Sequence, residues 1–135
     1  MLPPIMLIEA MTTFPFYLDA GASLDEARCM FDEHAIRHLP VKEGGALVGL
    51  LTPSELDVAG RITPAPNVGQ VCRRDVLTVD VYLSLSSVLT TMVERRVDCA
   101  LVLRHEQLVG IFTTMDACRL LADVITGEEP DPIVA

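Results

Sequence analysis

Tryptophan is absent from this chain, and aromatic residues make up 4% of it, so its apolar half is built mostly from Ala, Val, Leu and Ile. That supply suits compact α/β packing. No apolar run approaches the roughly 18 residues that span a membrane, which excludes a transmembrane helix. The start, MLPPIMLIEA, lacks a basic region and carries two prolines. It is therefore a poor signal peptide, and the cytoplasm is the expected compartment. Basic residues are also scarce: 10 Lys and Arg stand against 19 Asp and Glu, a formal charge of −9. Nucleic-acid binders need clustered Lys and Arg for phosphate contacts, so no nucleic-acid partner is expected.

The cysteines Cys29, Cys72, Cys99 and Cys118 form no C-x-x-C pair, so structural zinc is not expected. They read as small buried hydrophobes. The stretch HAIRH (34–38) sets two histidines four apart but lacks the Glu of H-E-x-x-H. His34 ends a helical pattern and His38 enters a strand, so they share no helical face and no metal site is expected. Neither G-x-S-x-G, a P-loop nor a Cys–His pair in a plausible setting occurs. An enzyme is therefore not expected.

What the chain does have is an internal repeat. LVGLLTPSEL (47–56) returns as LVGIFTTMDA (108–117), at a constant offset of 61 positions. At that offset Asp19 meets Asp80, Ser23-Leu24 meets Ser84-Leu85, Glu33 meets Glu94, Val41 meets Val102 and Thr52 meets Thr113. Most other pairs exchange one apolar residue for another. One register without gaps marks a duplication. With 135 residues, the chain is long enough to bury a real core, whereas half of it alone would make a marginal one.

Each half follows one plan. In SLDEARCMFDEH (23–34), Ser23 is the N-cap and Glu26 completes a capping box. Leu24, Ala27, Met30 and Phe31 mark one apolar face of that helix. A strand at 36–41, turn chemistry at 42–46 and a nearly all-apolar strand at 47–52 follow. The helix at 53–59 has Pro at its first position. The second half predicts a helix at 84–95, strands at 97–103 and 107–112, and a helix at 114–125. GRITPAPN (60–67) reads as a linker, and 127–135 as a disordered tail. The apolar faces Leu24/Ala27/Phe31 and Val88/Met92 are expected to stay partly uncovered in a single copy and to pair with a second one.

The succession from MTTFPFYLDAGASLDEA through IRHLPV to LVGLLTPSEL resembles a CBS motif, named after cystathionine β-synthase. VGQVCRRDVLTVDVYLSLSSV through LVGIFTTMDA is similar to a second copy. The resemblance covers about residues 5–125, with motif 1 at about 8–60 and motif 2 at about 68–125. Residues 1–126 would then form one tandem pair, a stand-alone Bateman module. The fold class implied is α/β (α+β), with two motifs related by a pseudo-two-fold, each a short sheet packed with two helices.

The same resemblance implies a regulatory module that binds an adenosine-containing ligand (AMP, ADP, ATP or S-adenosylmethionine) between the motifs and signals to an effector protein. No cofactor is implied, and a homodimer is. At site 2, Thr113 and Asp116 would hold the ribose, Val97, Asp98 and Cys99 the adenine edge, and Leu77 its face. At site 1 the counterparts are Thr52, Glu55, Ile36, Arg37, His38 and Phe16. Glu55 stands where Asp is usual and carries one more methylene, so site 2 is preferred. Asp98 either repels a phosphate or accepts from the adenine amino group. The alternative function is a degenerate pair that serves dimerisation or docking without nucleotide. Taken without the family, Thr52-x-x-Glu55 and Thr113-x-x-Asp116 are ordinary helix starts, with a threonine N-cap and an acid that favours the dipole.

Overall fold

The computed structural model describes residues 5–128. Its first half runs α1 (Leu7–Ala10), β1 (Thr12–Thr13), β2 (Leu18–Asp19), α2 (Leu24–His34), β3 (Leu39–Glu43), β4 (Ala46–Leu51) and α3 (Pro53–Ala59). The second runs α4 (Val68–Val71), β5 (Leu77–Asp80), α5 (Leu85–Arg95), β6 (Cys99–Arg104), β7 (Gln107–Thr113) and α6 (Thr114–Glu128). One sheet has the order β2-β3-β4 and the other β1-β7-β6-β5.

Local chemistry explains most boundaries. The capping box at the start of α2 is formed, with Glu26 N donating to Ser23 Oγ and Ser23 N to the Glu26 carboxylate, both at 3.1 Å. Ala35 and Arg96, equivalent under the repeat, end α2 and α5 in the left-handed conformation with φ of 51° and 55°. The residues after each cap turn the chain back towards its sheet. The strands expected from 36 and 97 consequently begin later, at Leu39 and Cys99. Helix α6 continues to Glu128, past the expected end at 125. Of the expected tail, 129–135 lie outside the described residues.

The segments that open the two halves do not pack on their own halves; they are exchanged. Leu7 and Met11 are buried in the second core, with Leu77, Val88, Met92 and Phe112. Val68 and Cys72, 61 positions on, are buried in the first core, with Leu24, Ala27, Phe31 and Leu51. The backbone repeats the exchange. Strand β1 adds to the edge of β7 through Thr12↔Ile111 and Thr13↔Gly110. In the first sheet, Arg73 and Leu50 exchange both backbone hydrogen bonds at 2.8 Å. Fully burying a Leu or Val side chain contributes about 1.5–3 kcal/mol. Each half therefore depends on the other for part of its core.

One expectation is overturned here. Leu24, Ala27, Phe31, Val88 and Met92 are all buried within the chain, so these faces are not free to meet a second copy. The exchanged segments help to cover them.

The repeated glycine of LVG is explained by the same exchange. A Cβ on Gly49 would overlap Arg73 O and lie 2.8 Å from Cys72 Sγ. On Gly110 it would overlap Met11 Sδ and lie 2.9 Å from Met11 Cε. A methionine side chain can move aside, but a paired carbonyl cannot do so without breaking its bridge. Gly49→Ala should therefore lower the unfolding free energy by about 3 kcal/mol and Gly110→Ala by about 1 kcal/mol. Urea unfolding of both variants measures the difference. Equal costs would contradict the close approach of Arg73.

Candidate ligand-binding site

Each half delivers one polar corner where its last strand meets its last helix. In the second half, Thr113 ends β7 and Asp116 lies in the first turn of α6. Thr113 N and Thr113 Oγ1 donate to Asp116 Oδ2 at 2.9 and 3.1 Å, and Asp116 N donates to Thr113 Oγ1 at 3.3 Å. Asp116 is only 10% exposed, and its other oxygen, Oδ1, meets the solvated Arg119 at 3.3 Å. An exposed ion pair of this kind adds little stability.

In the first half, Thr52 follows β4 and Glu55 lies in the first turn of α3. Thr52 N donates to Glu55 Oε1 at 3.2 Å, and the Thr52 hydroxyl lies 3.1 and 3.0 Å from Oε1 and Oε2. The extra methylene of Glu lets the carboxylate curl back over the threonine, so both oxygens face it. Arg73 from the second half adds its Nε at 3.6 Å from Oε1. Asp116 thus keeps one oxygen clear of its threonine, and Glu55 does not.

The segments expected at the base edge reach the same region. Asp98 O accepts from Thr114 N at 3.0 Å, which pins Val97–Cys99 to the start of α6. Cys99 and Thr113 are register partners in β6 and β7. Ile36 is half-buried beside the first core, and Arg37 is exposed. His38 Nε2 lies 3.3 Å from Asp98 Oδ2, a contact between the two motifs. Hence the adenine-edge segments assigned to separate sites meet across the seam. Below them Leu50 packs with Cys99, Leu101, Leu108 and Ile111. The two expected face residues differ in setting. Leu77 is 7% exposed and belongs to the second core. Phe16 is half exposed and stacks on His34, with ring centroids 3.8 Å apart and planes at 14°.

Sequence reasoning missed Arg119 and the pairing of Arg73 with Glu55. The spacing Thr-x-x-Asp-x-x-Arg could have revealed the first, because residues three apart on a helix are neighbours. No local signal places Arg73 near Glu55, since that contact follows from the exchange. Two open recesses lie elsewhere. One of about 550 Å³ sits between the hairpin turns at Gly44–Leu47 and Glu106–Gln107. The other, about 270 Å³, is lined by Gly21, Glu43, Gln70 and Arg74 among others. Neither includes a Thr-x-x-acid residue. Among the described residues no cluster of three or more His, Cys, Asp or Glu could hold a metal, and no helix is long and apolar enough to cross a membrane.

The thiols report on the corners. Burial pushes Cys99 up to about 12, with the charges of Asp98 and then Asp116 adding to it. Burial also raises Cys72, against the lowering effect of Arg74 and with a smaller push from Glu55. Cys29 and Cys118 are exposed, contrary to the expectation of four buried cysteines. Cys29 projects away from the Leu24/Ala27/Phe31 face of α2, and Cys118 sits on the outward side of α6. Ellman's reagent at pH 8 should titrate Cys29 rapidly, and Cys72 and Cys99 only on unfolding. Since the folded Cys99 value is raised, its contribution to stability is present below pH 9 and is lost as pH rises towards 12. Four equally fast thiols would contradict the burial of Cys72 and Cys99.

Comparison with known proteins fixes the family. The CBS domain sequence pattern matches residues 7–59 and 68–123. A Vibrio cholerae protein named for acetoin utilization (AcuB) superposes with a TM-score of 0.85 at 24% identity, over 96% of this chain and 100% of that one. The CBS domain pair of MJ0100, solved with 5′-methylthioadenosine and S-adenosyl-L-methionine, gives 0.80 at 24% identity, over 90% and 99%. CBSX2, solved with AMP, gives 0.77 at 20% identity, over 89% and 98%. With two sequence matches that take in most of its length, and with the repeated α/β architecture they call for, this chain belongs to the CBS domain family as a tandem pair, a regulatory and non-catalytic domain type.

Proposed function

We propose that this protein is a regulatory module that binds an adenosine-containing ligand at the Thr113–Asp116 corner and passes the occupancy of that site to a partner protein. The observation that carries the reading is the geometry of Asp116. Its Oδ2 is held by Thr113, while Oδ1 is clear of the threonine and accepts from the solvated Arg119 at 3.3 Å. A carboxylate fixed in this way is ready to accept from ribose hydroxyls. Val97–Cys99 lie against the same helix start, where a base edge would rest. The complexes of MJ0100 with 5′-methylthioadenosine and S-adenosyl-L-methionine, and of CBSX2 with AMP, support the ligand class by similarity. Glu55, with both oxygens turned to Thr52, makes the first corner the weaker one. The cytoplasm remains the compartment we propose.

A second copy is the partner favoured by the surface of α6. Met115, Leu121 and Ile125 are exposed there, and Cys118 lies between them. They fall on one helical stripe, now the apolar face available for pairing in place of Leu24/Ala27/Phe31. Light scattering at micromolar concentration should give twice the 14.7 kDa chain mass. A monomer there would contradict the homodimer but not the ligand site.

The rival reading is a docking module without nucleotide, which the same exposed stripe also supports. Thermal melting of wild type and Asp116→Ala, each with and without an adenosine ligand, separates the two. A ligand at a hundred times its dissociation constant stabilises the native state by about 2.7 kcal/mol. For a chain of this length that raises the melting temperature by roughly 6–12 °C. Losing the hydrogen bonds to Asp116 should weaken binding about a hundredfold, leaving about 0.4 kcal/mol at the same concentration. Comparing the shifts removes the change in helix-start stability. An undiminished shift in Asp116→Ala would take Asp116 out of the site. No shift in wild type with any adenosine ligand would favour the docking reading.

A further inference from the structure

The corner at Asp116 differs from an ordinary helix start in what it leaves for a ligand. The first amides of a helix usually stay free and attract phosphate. Here, three of the four amides from Thr113 to Asp116 are engaged inside the chain. Thr113 N donates to Asp116 Oδ2, Thr114 N to Asp98 O, and Asp116 N to Thr113 Oγ1. Little remains to cradle a phosphate.

The side chains point the same way. The Asp98 backbone carbonyl is engaged by Thr114, so its carboxylate is what it presents. That carboxylate is 71% exposed, and one oxygen is steadied by His38 Nε2 at 3.3 Å. Oδ1 makes no hydrogen bond among the described residues. Asp98 is tied through its carbonyl to Thr114, two residues before Asp116, and Cys99 pairs with Thr113, so two acidic residues stand at one helix start. The cation at Asp116, Arg119, is 71% exposed and already meets its carboxylate. Across the repeat the charge is reversed. Arg37 stands at the position equivalent to Asp98, and Arg73 lies beside Glu55. The duplication has kept the scaffold of the corner and changed its sign.

Resting on the adenosine reading above, we infer that the second corner accepts adenosine derivatives whose 5′ substituent is neutral or cationic and excludes 5′-phosphates, with Asp98 setting that preference. A phosphate there would meet two carboxylates and find few amides to hold it. A thioether or a sulfonium would meet no such opposition, and a sulfonium would be attracted.

Calorimetric titration of the full chain with 5′-methylthioadenosine, S-adenosylmethionine, AMP and ATP tests this. The first two should bind at least about tenfold more tightly than AMP, with ATP weaker still. Raising the salt concentration should narrow the gap, because screening weakens repulsion. In Asp98→Asn the affinity for AMP relative to methylthioadenosine should rise about tenfold, since one unit charge is removed at the same shape. Wild-type preference for AMP, or an unchanged ratio in Asp98→Asn, would overturn the inference and leave the adenosine site standing. Failure of all four ligands to bind would overturn the site itself and this inference with it.

Discussion

The structure depends on one reciprocal exchange: the opening segment of each half is buried in the core of the other. Leu7 and Met11 complete the second core, and Val68 and Cys72 complete the first. The sheets are tied by the same segments, through β1 on β7 and through the Leu50–Arg73 bridge. Neither half can form its full core without the other. The seam between them is therefore a fixed feature of the fold and not a hinge between independent units. Both glycines of the LVG repeats sit where an exchanged segment crosses a strand at close range.

The corners inherit their geometry from this arrangement. Arg73 reaches Glu55 only because its segment crosses to the first sheet, and Cys72 feels the same carboxylate for that reason. At the seam, His38 of one motif meets Asp98 of the other, and Asp98 is pinned to the helix that carries Asp116. A ligand at the second corner would thus touch groups whose positions depend on both halves. That supplies a physical route by which occupancy could alter the whole module. The difference between Asp and Glu decides how each carboxylate meets its threonine. Asp116 is too short to turn both oxygens onto its threonine, whereas Glu55 does so.

Much of this was legible in the sequence. The constant offset of the repeat, the Ser23/Glu26 capping box and Pro53 at the first turn of α3 led to the correct elements. The two Thr-x-x-acid corners lie at strand–helix junctions as expected. What could not be read was anything that crosses between the halves. Helices α1 and α4, of four residues each, have too few turns to show periodicity, and each is stabilised by the other half's core. GRITPAPN has the composition of a linker, yet the segment directly after it is core. The apolar faces of α2 and α5 looked uncovered because the sequence does not reveal which segment will cover them. The His38–Asp98 contact was hidden for the same reason: equivalence under the repeat does not say which copies touch. Cys29 and Cys118 were misjudged because a small apolar residue fits either side of an amphipathic helix.

The function we propose rests on a scaffold that holds a nearly buried carboxylate beside the seam of two interlocked motifs. The CBS pair is a regulatory, non-catalytic domain type, and the second corner is where we propose that this chain receives an adenosine. The most direct measurement is a crystal structure of the protein grown with 5′-methylthioadenosine. The ribose hydroxyls should lie about 2.6–3.0 Å from Asp116 Oδ1, with the base beside Val97–Cys99. Ligand density confined to the recess between the hairpin turns, or to the Glu55 corner, would contradict the assignment.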